Sequence, residues 1–163
     1  MHRPCEILTL NDLTHRLRSC DRPLSIDELR EFVRGIILPP QEWKALLRFD
    51  PEEFCYQTLF ESAWFELNLI GWKPGQFSSI HDHRGTACCV LVLDGTLTNR
   101  DFQRDATGNL TELSSFELQP GDLLCRENQQ IHSCGNEASS LSDLATLHLY
   151  SPPLAPLTQR RHD

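Results

Sequence analysis

His81 and His83 stand two residues apart at the end of the segment Gly75-Gln76-Phe77-Ser78-Ser79-Ile80-His81-Asp82-His83. In an extended strand that spacing puts both imidazoles on one face, where their ring nitrogens can share a metal ion. A lone His-x-His is weak evidence, so the weight falls on its companions. Gly75 lies six residues before His81, Gly95 closes the stretch after Cys88, and Pro120-Gly121 precedes His132, with Asn136 four residues further on. Near the C-terminus His148 and Tyr150 stand two residues apart, which puts an imidazole and a phenol on one face. Plainer readings stand beside these. His132 alone reads as a loop histidine, His148 between Leu147 and Leu149 as a satisfied core histidine, and Tyr150 as a packed ring. Cys88 reads equally as a buried free thiol. Cys134, on the face of His132, is a rival ligand whose thiolate would favour a structural zinc site.

Together these residues resemble the two signature motifs of the cupin superfamily. The first is met by Gly75, His81, His83 and Gly95; the second by His132 and Asn136, with Pro120-Gly121 tighter and further upstream than usual. Where most cupins place a glutamate ligand, this chain has Cys88. Three neutral imidazoles leave a divalent iron with its full charge and open positions, which suits an anionic chelating thiolate and leaves room for O2. The strings Ser78-Ser79-Ile80-His81-Asp82-His83 and Leu147-His148-Leu149-Tyr150-Ser151-Pro152-Pro153, with Trp72 before the Pro74-Gly75 turn, closely resemble the cysteine dioxygenase type I family of thiol dioxygenases.

That resemblance, over about a hundred residues from 55 to 154, implies a non-haem Fe(II) enzyme adding both atoms of O2 to the sulfur of a small thiol, L-cysteine before others. It makes His81, His83 and His132 the iron ligands. Cys88 and Tyr150 match a pair that forms a thioether crosslink in many animal enzymes. Thr146, His148 and Tyr150 match the family's catalytic relay, with threonine for serine, and Trp72 lies where substrate contact is expected. One departure concerns the substrate carboxylate. The family's Tyr-x-Arg-Asn-Leu segment is replaced by Cys55-Tyr56-Gln57-Thr58-Leu59, read with Gln57 on the arginine. Gln57 donates hydrogen bonds but brings no charge, and it reads equally as an ordinary strand residue. Relatives with glutamine there resemble 3-mercaptopropionate dioxygenase, whereas Cys88 and Ser151-Pro152-Pro153 belong to the arginine branch. The alternatives are a dioxygenase of 3-mercaptopropionate or another small thiol, and a metal-binding cupin without turnover that serves as sensor or structural module. Arg84, beside His83, reads as a solvated charge or a weak attractor for an anionic substrate.

These groups need elements to position them. The pattern predicts helices at residues 9–19, after Ser25, where Ser-Ile-Asp-Glu forms a capping box, and after Pro39-Pro40. Strands are expected at 65–72, 78–83, 87–93, 96–102, 114–118, 122–126 and 144–150, separated by turn residues such as Asp94-Gly95 and Pro120-Gly121. The fold class is therefore mainly β: a jelly-roll-like cupin barrel, closed or nearly so, over 54–154, after a helical segment at 1–50 and before a tail at 155–163, all one domain. With 163 residues, 15 basic against 23 acidic side chains and a formal charge of −8, a nucleic-acid or anionic-membrane partner is disfavoured. The start resembles no secretory signal, so a cytoplasmic monomer is expected, its partners a small thiol and O2. Of seven cysteines, Cys5, Cys20, Cys55, Cys89 and Cys125 read as buried reduced thiols.

Overall fold

Two helix starts are written in side chains that satisfy orphan amides. Thr9 and Ser25 each accept from the backbone N–H three residues on, while Asp12 and Glu28 reach back to the capping residue's own N–H. In the computed structural model, which describes residues 6–154, the order is β1 (Glu6–Ile7), α1 (Leu10–Arg18), α2 (Ile26–Val33), β2 (Ile36–Ile37) and α3 (Pro40–Trp43). The main strands follow: β3 (Cys55–Glu61), β4 (Glu66–Trp72), β5 (His81–Asp94), β6 (Leu97–Arg104), β7 (Leu110–Leu118), β8 (Leu123–Gly135) and β9 (Leu144–Ser151). β1 and β2 form a two-residue parallel pair that no sequence pattern announced. The tail at 155–163 and Cys5 lie outside the described residues.

The seven later strands form one antiparallel sheet in the order β3-β4-β9-β5-β8-β6-β7. Its hydrogen-bond order ends at β3 and β7, so the barrel is nearly rather than fully closed. Side chains alternate between two faces of this sheet. Leu69, Leu147 and Leu91 stand opposite one another across β4, β9 and β5, and join Leu13, Leu17, Leu29 and Val33 of the helices in one apolar cluster. One residue along each strand, Ile70, Thr146 and Val92 are paired. That second face holds a smaller cluster of Trp72, Cys88, Val90, Leu97, Leu124, Cys134 and Tyr150. The helices therefore seal one face, and the other becomes the barrel interior.

Three expectations change. The strands expected at 78–83 and 87–93 are one strand, β5, which is irregular where His83 pairs with Asn128 and Ala87 with Glu127. Three extra residues are accommodated there by Gly85 at φ 76°, a conformation glycine adopts without steric cost. The strand expected at 122–126 runs on as β8 to Gly135, turning at Asn128 with φ 52°. Finally, Cys89 and Cys125 are not reduced thiols: they face each other directly on β5 and β8, Cα atoms 4.2 Å apart, and form a disulfide. Cys20 and Cys55 are half-buried rather than buried. Gly95 fits a tight crossing, since a Cβ there would lie 2.5 Å from the Asp143 carbonyl oxygen. No helix among the described residues is long and apolar enough to cross a membrane.

Candidate metal centre and its relay

His81 and His132 are directly opposed on β5 and β8, and His83 follows on the same face of β5. The register shifts between His81 and His83, where β8 runs from His132 to Asn128, and the three rings meet: His83 Nε2 lies 3.1 Å from His81 Nε2 and 2.9 Å from His132 Nε2. All three ligand atoms fall within 4.8 Å of one another. Two nitrogens that share an ion at a metal–nitrogen distance of about 2.1 Å lie roughly 3 to 4 Å apart, so the separations at His83 suit imidazoles that hold one ion. The outward nitrogens support that orientation. His81 Nδ1 meets the Ser79 carbonyl at 2.7 Å, and His132 Nδ1 meets Asn99 Oδ1 at 2.8 Å, the outer contacts that fix ligating histidines. Burial and the neighbouring His81 and His83 push His132 down to about 2, so its ring is neutral and its lone pair available. The donor set therefore fits a divalent transition metal.

Cys134 does not belong to this group. It is buried and bonds Ser78, and its sulfur lies outside the cluster of ligand atoms formed by His81, His83 and His132. Arg84 pairs with Asp82 at 2.9 Å on the open side.

Beside the imidazoles, a second chain of polar groups crosses the interior. Trp72 Nε1 donates to Thr146 Oγ1 at 2.8 Å, Thr146 Oγ1 lies 3.0 Å from His148 Nε2, and His148 Nδ1 lies 3.1 Å from the Tyr150 hydroxyl. Indole is a donor only. With Thr146 accepting from Trp72 and donating to His148 Nε2, His148 Nδ1–H donates to Tyr150, leaving the phenolic hydrogen for another acceptor. Burial holds His148 down to about 3 and Tyr150 well above its ordinary value, so the relay consists of neutral groups at pH 7. Tyr150 is paired with Cys88 across β9 and β5, and its hydroxyl hydrogen-bonds the Cys88 thiol, which burial keeps protonated. The Tyr150 and His83 rings stack with centroids 6.3 Å apart, which brings the end of the relay to the metal centre.

The structure places two of the expected site residues differently. Trp72 is 1% exposed and buried at the far end of the relay, so it anchors Thr146 rather than facing an open substrate. Gln57 is paired with Leu69 on the helix-covered face, because the strand's alternation sends it away from the imidazoles. Its neighbours Tyr56 and Thr58, paired with Ile70 and Asn68, stand on the opposite face of the strand and are exposed. Sequence reasoning missed Asn99, Asp101 and Arg126, which surround His132; the alternation Leu97, Asn99, Asp101 in β6 was the available signal.

Comparisons with known proteins agree with this geometry. The model of the family cysteine dioxygenase type I matches residues 8–163. Cysteine dioxygenase type 1 of Danio rerio is 28% identical over 157 residues, covering 89% of this chain and 75% of that protein. The Homo sapiens protein of the same name is 26% identical over 160 residues, covering 93% and 76%. Among solved structures, a protein of Thermus thermophilus superposes with a TM-score of 0.55 at 24% identity, covering 67% of this chain and 92% of that one. A cupin superfamily protein of Desulfitobacterium hafniense gives 0.53 at 16%, covering 68% and 88%. These two show the fold.

Proposed function

The chain belongs to the cysteine dioxygenase type I family, and from that premise we propose that it oxidises L-cysteine to cysteine sulfinate at the His81, His83 and His132 centre, with Fe(II) as the resident metal. The observation that carries this reading is the convergence of three imidazole nitrogens beside a buried Tyr150 hydroxyl. The overall reaction balances without a further reductant: O2 adds both atoms to the sulfur, which loses the four electrons that O2 gains. An iron held by His81, His83 and His132 would supply the Lewis-acid and redox chemistry that couples the thiolate to O2.

The chain's own residues do the rest. His148 and Cys88 both hydrogen-bond the Tyr150 hydroxyl and hold the phenol beside the metal centre as the proton-bearing end of the relay. Trp72 and Thr146 hold the His148 ring in place from its other side. The apolar walls from Val90, Val92 and Leu124 exclude water around the relay and strengthen its hydrogen bonds. Cys88 hydrogen-bonds Tyr150, and the pair supports the family's thioether crosslink, in which a sulfur–carbon bond would replace one hydrogen on each partner and O2, the reaction's own co-substrate, would take up the two electrons and two protons.

A second substrate is favoured by one observation. Neither Gln57 nor its neighbour Thr58, the β3 residues that compete for the motif's arginine position, carries a charge for a carboxylate. A thiol that does not rely on that ion pair, such as 3-mercaptopropionate, is then the competing substrate. The deciding experiment is O2 consumption by the Fe(II)-reconstituted chain with each thiol, sulfinate being identified by mass. Faster turnover of L-cysteine supports the proposal; faster turnover of 3-mercaptopropionate transfers it to that substrate. Turnover of neither, with metal bound, leaves a non-catalytic metal-binding cupin.

A further inference from the structure

His132 differs from His81 in what holds its outer nitrogen. For His81 the acceptor is the Ser79 backbone carbonyl, which can only accept. For His132 it is the side-chain amide of Asn99, which could present either its oxygen or its NH2 group. Something must fix that choice, because an NH2 turned toward Nδ1 would demand the opposite tautomer and leave a hydrogen on Nε2, where the metal must bind.

The neighbouring groups supply the answer. Asn99 is fully buried, and its Nδ2 donates to Asp101 Oδ1 at 3.0 Å. A carboxylate has no hydrogen to give, so this contact accepts only the NH2 end of the amide and turns Oδ1 toward His132. Asp101 is itself held by Arg126, whose Nε and Nη2 donate to Asp101 Oδ1 at 3.1 and 2.9 Å, and whose Nη2 also donates to Oδ2 at 2.9 Å. Such a forked contact fixes direction as well as distance. The Arg126 and Asp101 side chains are 16% and 25% exposed, so the pair is largely sheltered. Asp101 is directly opposite His132 across β6 and β8, and Arg126 directly opposite Cys88 across β8 and β5. The chain thus closes a circuit around the metal face.

We infer that Arg126, Asp101 and Asn99 form a tautomer clamp: they fix the Asn99 amide, which fixes His132 with its hydrogen on Nδ1 and its Nε2 lone pair toward the metal. They are positioning residues, and they rest on the reading of the three imidazoles as a metal site. Removing such an outer contact costs about 10- to 100-fold in metal affinity.

The test is the dissociation constant for Co(II), measured anaerobically by chelator competition, with the Co(II) absorption spectrum as a second signal. Asp101→Asn, nearly isosteric, frees the amide to turn and is expected to weaken binding several-fold and alter the spectrum. Asn99→Leu removes the acceptor and is expected to weaken it about 10- to 100-fold. The exchanged pair Asn99→Asp with Asp101→Asn restores an obligate acceptor at His132 and is expected to recover most of the affinity. Arg100→Gln breaks the Arg100–Glu137 pair on the same strand but the opposite face and should leave affinity within about twofold of the native chain, since it touches no outer contact of a ligand. If Asn99→Leu does not fold, the two near-isosteric variants decide. Folded Asp101→Asn with native affinity overturns the clamp, as does a weakened Asp101→Asn that the exchanged pair does not rescue. A native chain that binds no Co(II) instead sinks the metal-site reading.

Discussion

Cys88 and Cys89 are neighbours in sequence and inhabit different chemistries. Cys88 faces the interior, hydrogen-bonded to Tyr150 in a row with Arg126. Cys89 faces the helices, bonded to Cys125 among leucines. The same division runs through β9, where Thr146, His148 and Tyr150 look inward while Ala145, Leu147 and Leu149 pack beneath the helices. One face of the sheet carries the imidazoles, the relay and the Arg126–Asp101 pair; the other is an adhesive surface that keeps them in shape. Their separation is the strand's period of two, so equal perturbations one residue apart should give qualitatively different results.

The largest contrast is between His132 and Leu91. His132→Ala should abolish metal retention and lower turnover at least about a thousandfold, while the fold persists by circular dichroism. Leu91→Ala should cost about 2–5 kcal/mol of stability with little change in turnover per folded molecule. A Leu91→Ala chain that loses metal before it loses structure would break the division.

Tyr150 and Leu149 form the next pair. Tyr150→Phe removes a hydroxyl and should lower kcat about 10- to 100-fold with Co(II) affinity unchanged; Leu149→Ala should again act on the melting temperature alone. For the adjacent cysteines, Cys89→Ser removes the disulfide and should destabilise by about 2–4 kcal/mol. Cys88→Ser should leave stability nearly unaltered, and any species two hydrogens lighter in the intact mass of the native chain should be missing from the variant.

A smaller effect is set by pH. Because burial holds His148 down to about 3 in the folded chain, below the ordinary imidazole value of about 6.5 the unfolded chain takes up a proton that the folded one refuses. Stability contributed by the neutral ring is complete above about pH 6.5 and declines as pH falls toward 3. Melting of the metal-free chain should therefore drop between about pH 7 and 4, and His148→Gln should flatten that slope by about one proton. The smallest contrast lies on β3: Gln57→Ala should change kcat/KM less than about twofold, whereas Thr58→Arg should raise the preference for L-cysteine over 3-mercaptopropionate. Equal effects at the two positions would contradict the register of β3 against β4.

Much of the site was legible because its spacing is local. His81 with His83, and Thr146 with His148 and Tyr150, need only a strand to share a face, and the capping box at Ser25 needs only one helical turn. What failed to be legible depended on partners far away in sequence. The Cys89–Cys125 disulfide spans 36 residues and required knowing that β5 lies against β8. Gln57 and Thr58 could be distinguished only by which strand residue each opposes, since a one-residue shift exchanges the faces. The bulge that lets β5 continue past Gly85 has no periodic signature.

Ligand types, the order of the relay and the alternation that divides inward from outward residues follow from side-chain chemistry and backbone period, so the amino acids in their order were enough to specify them. Other outcomes needed the folded chain: that Trp72 anchors the relay, that Gln57 faces the helices, and that Asn99, Asp101 and Arg126 enclose His132. These rest on strand order and register, which are fixed by many weak packing contacts acting together rather than by any local pattern.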